Sequence, residues 1–183
     1  APTLTGPTAT YPAILPEVDL QVTADPQGGF TEIFIVHTPA AAANPTMKTL
    51  VLAVQSNGLT LTADPTGNLM ATAPGGHSAF TAPAPTMWDS AIPATAALAH
   101  PAATDTPESS SAAGPGQGAH VAPITVAIAG QTIALTPDQT LLTAADTVYP
   151  VYLDPTWTPI TPPRGGWATV ATKSSDTRIA TTN

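Results

Sequence analysis

Cysteine is absent from the 183 residues, so no disulfide can hold the fold. A chain of this length buries a sizeable core without crosslinks, and the absence fits either an oxidising or a reducing compartment. Charge is scarce as well, at 9% of residues against the usual quarter or so. Cations are scarcest: Lys48, Arg164, Lys173 and Arg178 are scattered through a chain of net charge −8. That excludes nucleic acid as a partner, because phosphate neutralisation needs a basic face. It also leaves nothing to grip an anionic membrane surface, and no apolar run reaches the roughly 18 to 20 residues of a spanning helix. Membrane insertion is not expected. The chain begins at Ala1 with no leader pattern, as expected of a mature or trimmed segment. Uninterrupted helical windows are missing too, since 22 prolines punctuate the chain and each costs a helix interior roughly 3 kcal/mol.

What is present is threonine, at 32 positions, with apolar residues at a normal 43%. A β-branched, uncharged polar residue suits half-exposed strands, and an all-β fold follows. Val18-Asp19-Leu20-Gln21-Val22 and Phe30-Thr31-Glu32-Ile33-Phe34-Ile35-Val36-His37 show alternation or short buried runs. Asp25-Pro26-Gln27-Gly28-Gly29 between them has hairpin chemistry. Further strands are predicted over 49–55, 59–63, 69–72 and 78–81, separated by Ser56-Asn57-Gly58, Asp64-Pro65-Thr66-Gly67-Asn68 and Pro74-Gly75-Gly76. The segment 85–89 continues this meander of antiparallel strands.

Residues 90–118 turn to alanine, proline, serine and glycine, a composition that buries too little to offset its ordering entropy. A mobile linker or long surface loop is predicted there. Strands resume over 121–129, 132–135 and 149–153, with helical turns expected over 39–48 and 139–146. The organisation expected is an N-terminal extension over 1–9 and one β-rich domain over 10–157. Residues 158–183 would form an exit linker and the start of a following β domain. The fold class is an antiparallel β-sandwich, or two packed sheets, with little helix.

Several segments act as recognisable words. They are Thr10-Tyr11-Pro12-Ala13-Ile14-Leu15-Pro16-Glu17-Val18-Asp19-Leu20-Gln21-Val22-Thr23-Ala24-Asp25, Gly58-Leu59-Thr60, Ala82-Pro83-Ala84-Pro85-Thr86-Met87-Trp88-Asp89-Ser90 and Tyr149-Pro150-Val151-Tyr152-Leu153-Asp154-Pro155-Thr156-Trp157. In order and spacing they resemble a region of large actinobacterial secreted or surface proteins that precedes a DNRLRE-type β-sandwich, a LamG-like domain or Rhs repeats. In that resemblance the stretch after Trp88-Asp89-Ser90 is a length-variable insert, and Trp167-Ala168-Thr169-Val170 begins the next domain. The chain departs from the pattern in carrying fewer arginines and lysines. The resemblance implies an extracellular or cell-surface setting, neighbouring domains of the same parent chain as partners, and no attached activity.

Candidate chemistry is sparse. His37 ends an apolar strand and reads as an edge or core histidine. His77-Ser78 lacks the order of a nucleophile elbow. His100 and His120 fall in or beside the predicted loop and read as solvated. Asp64-Pro65-Thr66-Gly67-Asn68 has some oxygen ligands of a calcium loop but not the further acids or the bidentate glutamate. Glu17 and Asp19, expected on one strand face, have the residue types of an acid pair for glycoside chemistry, but a plain exposed strand face accounts for them better. Lys48 and Lys173 are the only lysines that an intramolecular isopeptide bond could use. No pattern implies a cofactor, a metal or catalysis. Trp88, Trp157 and Trp167 would serve as a stacking platform if exposed. The reading is a non-catalytic structural or spacer module of a secreted protein. The alternatives are a carbohydrate-binding module for cell-wall or other polysaccharide, and a scaffold or pro-segment for a downstream toxin or enzyme. Low charge also predicts tolerance of acid, because little stability is tied to carboxylate ionisation.

Overall fold

The structure, a computed structural model, describes residues 1–26, 28–56, 58–93 and 108–159, together with the backbone of two strands between 167 and 182. In chain order the strands are β1 (Thr3–Thr5), β2 (Thr8–Leu15), β3 (Val18–Ala24), β4 (Phe30–Val36), β5 (Leu50–Ala53), β6 (Thr60–Ala63), β7 (Leu69–Thr72) and β8 (Ser78–Ala82). They continue as β9 (Thr86–Trp88), β10 (Val121–Pro123), β11 (Thr125–Ala129), β12 (Thr132–Thr136), β13 (Val151–Asp154), β14 (Thr158–Pro159), β15 (Trp167–Lys173) and β16 (Asp176–Thr182). Two short helices, α1 (Pro39–Ala42) and α2 (Gln139–Thr143), and a 3-10 turn at Pro45–Lys48 lie between strands. Each starts on a polar cap: Thr38, Asp138 and Asn44 accept from backbone N–H groups of the first turn. Among the described residues no helix is long and apolar enough to cross a membrane.

The fold is an all-β sandwich of antiparallel sheets. One layer is a seven-stranded sheet in the order β1-β2-β3-β4-β13-β9-β10. The other is made by the sheets β11-β12-β5 and β14-β8-β7-β6, with β11 lying beside β6. Period-2 alternation explains the core between them. Val18, Phe34, Val36, Met87, Val151 and Leu153 face inward from the large sheet and meet Leu50, Leu69, Ala71, Ala82, Ile133 and Leu135. Met47 and Leu142, from the helical turns, close the same cluster. Each fully buried Val, Leu, Ile, Phe or Met among them contributes about 1.5 to 3 kcal/mol by leaving water. A second cluster, Ile33, Ile35, Trp88 and Tyr152, lies on the outer face of the large sheet under Ala112 and Ala119. The hairpin β15-β16 pairs within itself.

Three features differ from the sequence reading. Residues 1–9, expected as an extension, supply β1 and the start of β2, pairing Thr3 with Thr10 and Thr8 with Thr23. The predicted strand over 121–129 is two strands in different sheets. Pro123 has no N–H to continue the ladder, and the Ile124 N–H donates instead to Pro85 O at 2.9 Å, carrying the chain across the core. Finally, the part of the predicted mobile loop at 108–118 is packed: Ser111 and Gly114 bridge to each other, and Gln117 N donates to Glu108 O at 3.1 Å. Residues 94–107 of that loop, with His100, lie outside the described residues.

Candidate functional site

The tryptophans come first because they were the candidate platform. Trp88, in β9, is 2% exposed and stacks on Tyr152 with ring centroids 5.8 Å apart. Its indole N–H donates to Ser111 O at 3.2 Å. Trp157 is 7% exposed and exchanges two backbone hydrogen bonds with Phe30, at 3.0 and 3.1 Å. A sugar ring needs an open aromatic face, and neither residue presents one. Trp167 lies in β15, and its side chain is outside the described residues.

Next to Trp88, Asp89 is fully buried and every lone-pair direction of its carboxylate is used. Oδ1 accepts from the Ala91 N–H at 3.1 Å and the His120 N–H at 2.8 Å. Oδ2 accepts from His120 Nδ1 at 2.9 Å and the Val148 N–H at 3.2 Å. Ser90 adds a hydroxyl bond to Pro150 O at 2.6 Å. Burial pushes the Asp89 carboxyl up, but the bonds from His120, Val148 and Ala91 more than reverse this, and the group stays below the usual carboxylate range. The same contact raises the His120 ring above its ordinary value. His120 was expected to be solvated. Its ring is half exposed, but its position is fixed by Asp89, a partner 31 residues away in sequence.

The remaining candidates are spent on turns. Glu17 does not share a strand face with Asp19: it occupies the β2-β3 turn at φ +56° and accepts from Thr38 Oγ1 at 2.8 Å. Asp19 accepts from His37 Nε2 at 2.9 Å and from the Ala13 N–H at 2.8 Å, where Ala13 sits at φ +50° in the β2 bulge. Burial raises the Asp19 carboxyl, and these two contacts bring it below its ordinary value. In the Asp64 loop both carboxylate oxygens accept from Thr66 and Asn68. Those bonds lower Asp64 to about 2 and leave an Asx turn rather than an open cation cage. His77 lies in the turn before β8. Thr38 and Ser90, the hydroxyls beside the two Asp–His pairs, donate to Glu17 and Pro150, so neither is handed to a histidine base. Among the described residues no three His, Asp or Glu side chains are grouped to hold a metal.

One site escaped the sequence reading. β4 alternates inward Phe30, Glu32, Phe34 and Val36, so Glu32 enters the sandwich interior where an apolar residue is expected. It borders a cleft of about 480 Å³ between the layers, walled by Phe30, Leu52, Leu61, Phe80, Ile133 and Trp157. The β4-β13 ladder breaks beside Glu32. The β4-β13 register runs from Leu153 opposite Phe34 to Trp157 opposite Phe30, which sets Pro155 opposite Glu32. Proline has no N–H for the ladder, and pairing is interrupted there. The Glu32 carboxyl makes no hydrogen bond or ion pair with any described residue, and burial alone pushes it above its ordinary value. A charged residue at an inward position of a period-2 pattern was the available signal.

Comparison with known proteins finds no matching family model, curated protein or solved structure. The fold offers two polar arrangements: a saturated clamp at Asp89, which holds chain segments together, and a carboxyl at Glu32 with no partner among the described residues.

Proposed function

We propose that this chain is a non-catalytic structural module of a secreted or cell-surface multidomain protein, working as a spacer between neighbouring domains of its parent. The observation that carries this reading is the use made of the word-like segments. Trp88-Asp89-Ser90 and Tyr149-Pro150-Val151-Tyr152 spend their aromatic faces, carboxylate and hydroxyl on each other and on adjoining backbone. Tyr149 adds a hydroxyl bond to Leu142 O at 2.6 Å, tying α2 to the start of β13. Motifs spent on internal bonds serve rigidity rather than recognition of an outside molecule. The low charge and the threonine-rich strand surface agree with an exported protein.

The experiment is a comparison of the parent protein carrying three versions of this segment: unchanged, unfolded by Asp89→Ala, and altered only at exposed side chains such as Leu4 and Val51. Display and protease resistance of the neighbouring domains should fall with Asp89→Ala alone. Loss with the surface variant, at unchanged melting temperature, would instead assign the segment a recognition role.

A further inference from the structure

We infer that the cleft over Glu32 is a binding site for a small organic cation, an ammonium group carried on an apolar, ring-sized body. Three observations converge on that chemistry. The cavity, about 480 Å³, is within the range of small-molecule sites and is walled chiefly by aliphatic and aromatic side chains. Its depth therefore suits an apolar body. The one ionisable side chain among its described lining residues is Glu32, which has no hydrogen-bond or ion-pair partner among the described residues. Neutral ligands would bury that carboxylate further without compensation, and anions would be repelled by it. An ammonium ion supplies the missing charge-assisted hydrogen bonds. The aromatic rings of Phe30 and Phe80 in the same wall attract cations. The long-range field of a chain with net charge −8 and four cationic side chains acts in the same direction.

The contrast with the other acids sharpens the inference. Asp19, Asp64 and Asp89 each accept hydrogen bonds from protein donors. Among the described residues of the cleft wall, Glu32 joins an open cavity to a carboxyl without such donors. The site goes beyond the structural role proposed above and does not depend on it.

The test uses three probes of matched body: 4-phenylbutylammonium, 4-phenylbutanol and 5-phenylpentanoate, titrated into the full chain by calorimetry and followed by Trp157 emission. At pH 7 the ammonium should bind at least about tenfold more tightly than the alcohol, and the carboxylate should not bind. Glu32→Gln should abolish the preference for the ammonium without lowering the melting temperature. Glu32→Leu, which suits an apolar wall, should reverse it in favour of the alcohol. Lowering the pH through the Glu32 titration should weaken ammonium binding and strengthen alcohol binding, because the neutral carboxyl no longer needs a compensating charge. Equal affinity for ammonium and alcohol, no binding of any probe, or a preference that survives Glu32→Leu would overturn the inference.

Discussion

Asp89 grips His120 at two points, the backbone N–H at 2.8 Å and the ring Nδ1 at 2.9 Å. The 31-residue excursion between them thus leaves and re-enters the sandwich through one buried carboxylate. The ends of a long insert are fixed at a single place, and the closure entropy is met by bonds that a buried, water-free carboxylate makes strong.

Replacing Asp89 by alanine strands the N–H groups of Ala91, His120 and Val148 at once. These three donors are only part-buried and fall at the lower end of the about 1 to 3 kcal/mol that an orphaned donor costs, so Asp89→Ala should lose roughly 3 to 5 kcal/mol in chemical denaturation. His120→Ala removes only the half-exposed ring and should cost far less. Equal losses would mean that the ring, not the backbone bonds, holds the clamp.

The pH profile follows from the directions of the shifts. His120 is raised above 6.5 in the folded state, so its contribution is complete below that value and fades as pH rises through the folded pKa. Glu32 and Asp154 are raised by burial, with Thr156 opposing at Asp154, and each adds stability as pH falls through its own folded value. Asp19, Asp64 and Asp89 are lowered, and what they contribute is kept above 3.8 and lost only below it. Tm should therefore rise from pH 8 to about pH 5 and decline below about pH 4. A steady fall from pH 7 to pH 4 would contradict both this profile and the expected acid tolerance. Carbon-detected NMR should place the Asp64 midpoint at about 2.

Gly116→Ala should detach the 108–119 segment. A Cβ there would stand 2.4 Å from Glu108 O and 2.6 Å from Ser110 N, both backbone atoms that cannot turn aside. We expect a red shift and stronger quenching of Trp88 emission, because Ser111 O would no longer cover the indole N–H. Unchanged emission would show that the turn is not needed to cover the ring.

Trp88→Phe keeps a ring against Tyr152 but deletes the bond to Ser111 O, and should cost about 1 kcal/mol beyond the change in packing. In the unmutated protein a soluble quencher should reach neither Trp88 nor Trp157, and polysaccharide should change neither signal. Protection of either residue by a glycan would restore the stacking-platform reading.

The sequence by itself determined the local structure: short strands from period-2 alternation, turns from Asp-Pro-Thr-Gly-Asn and Gly-Gly, and helices no longer than a turn or two because of proline. It also told which face of β3 turns to the core, since alternation is a property of the strand alone, whereas the apolar run of β4 left its face open. Only the tertiary structure decided that β13 lies between β4 and β9, that the chain changes sheets at Ile124, and that Gly116 serves close approach rather than mobility. It likewise decided that Asp89 is met by His120 while Glu32 has no partner among the described residues. The reason is range. Sterics and alternation act over a few residues and are written in neighbouring letters, whereas the partner of a buried carboxylate is set by which distant strands pack together.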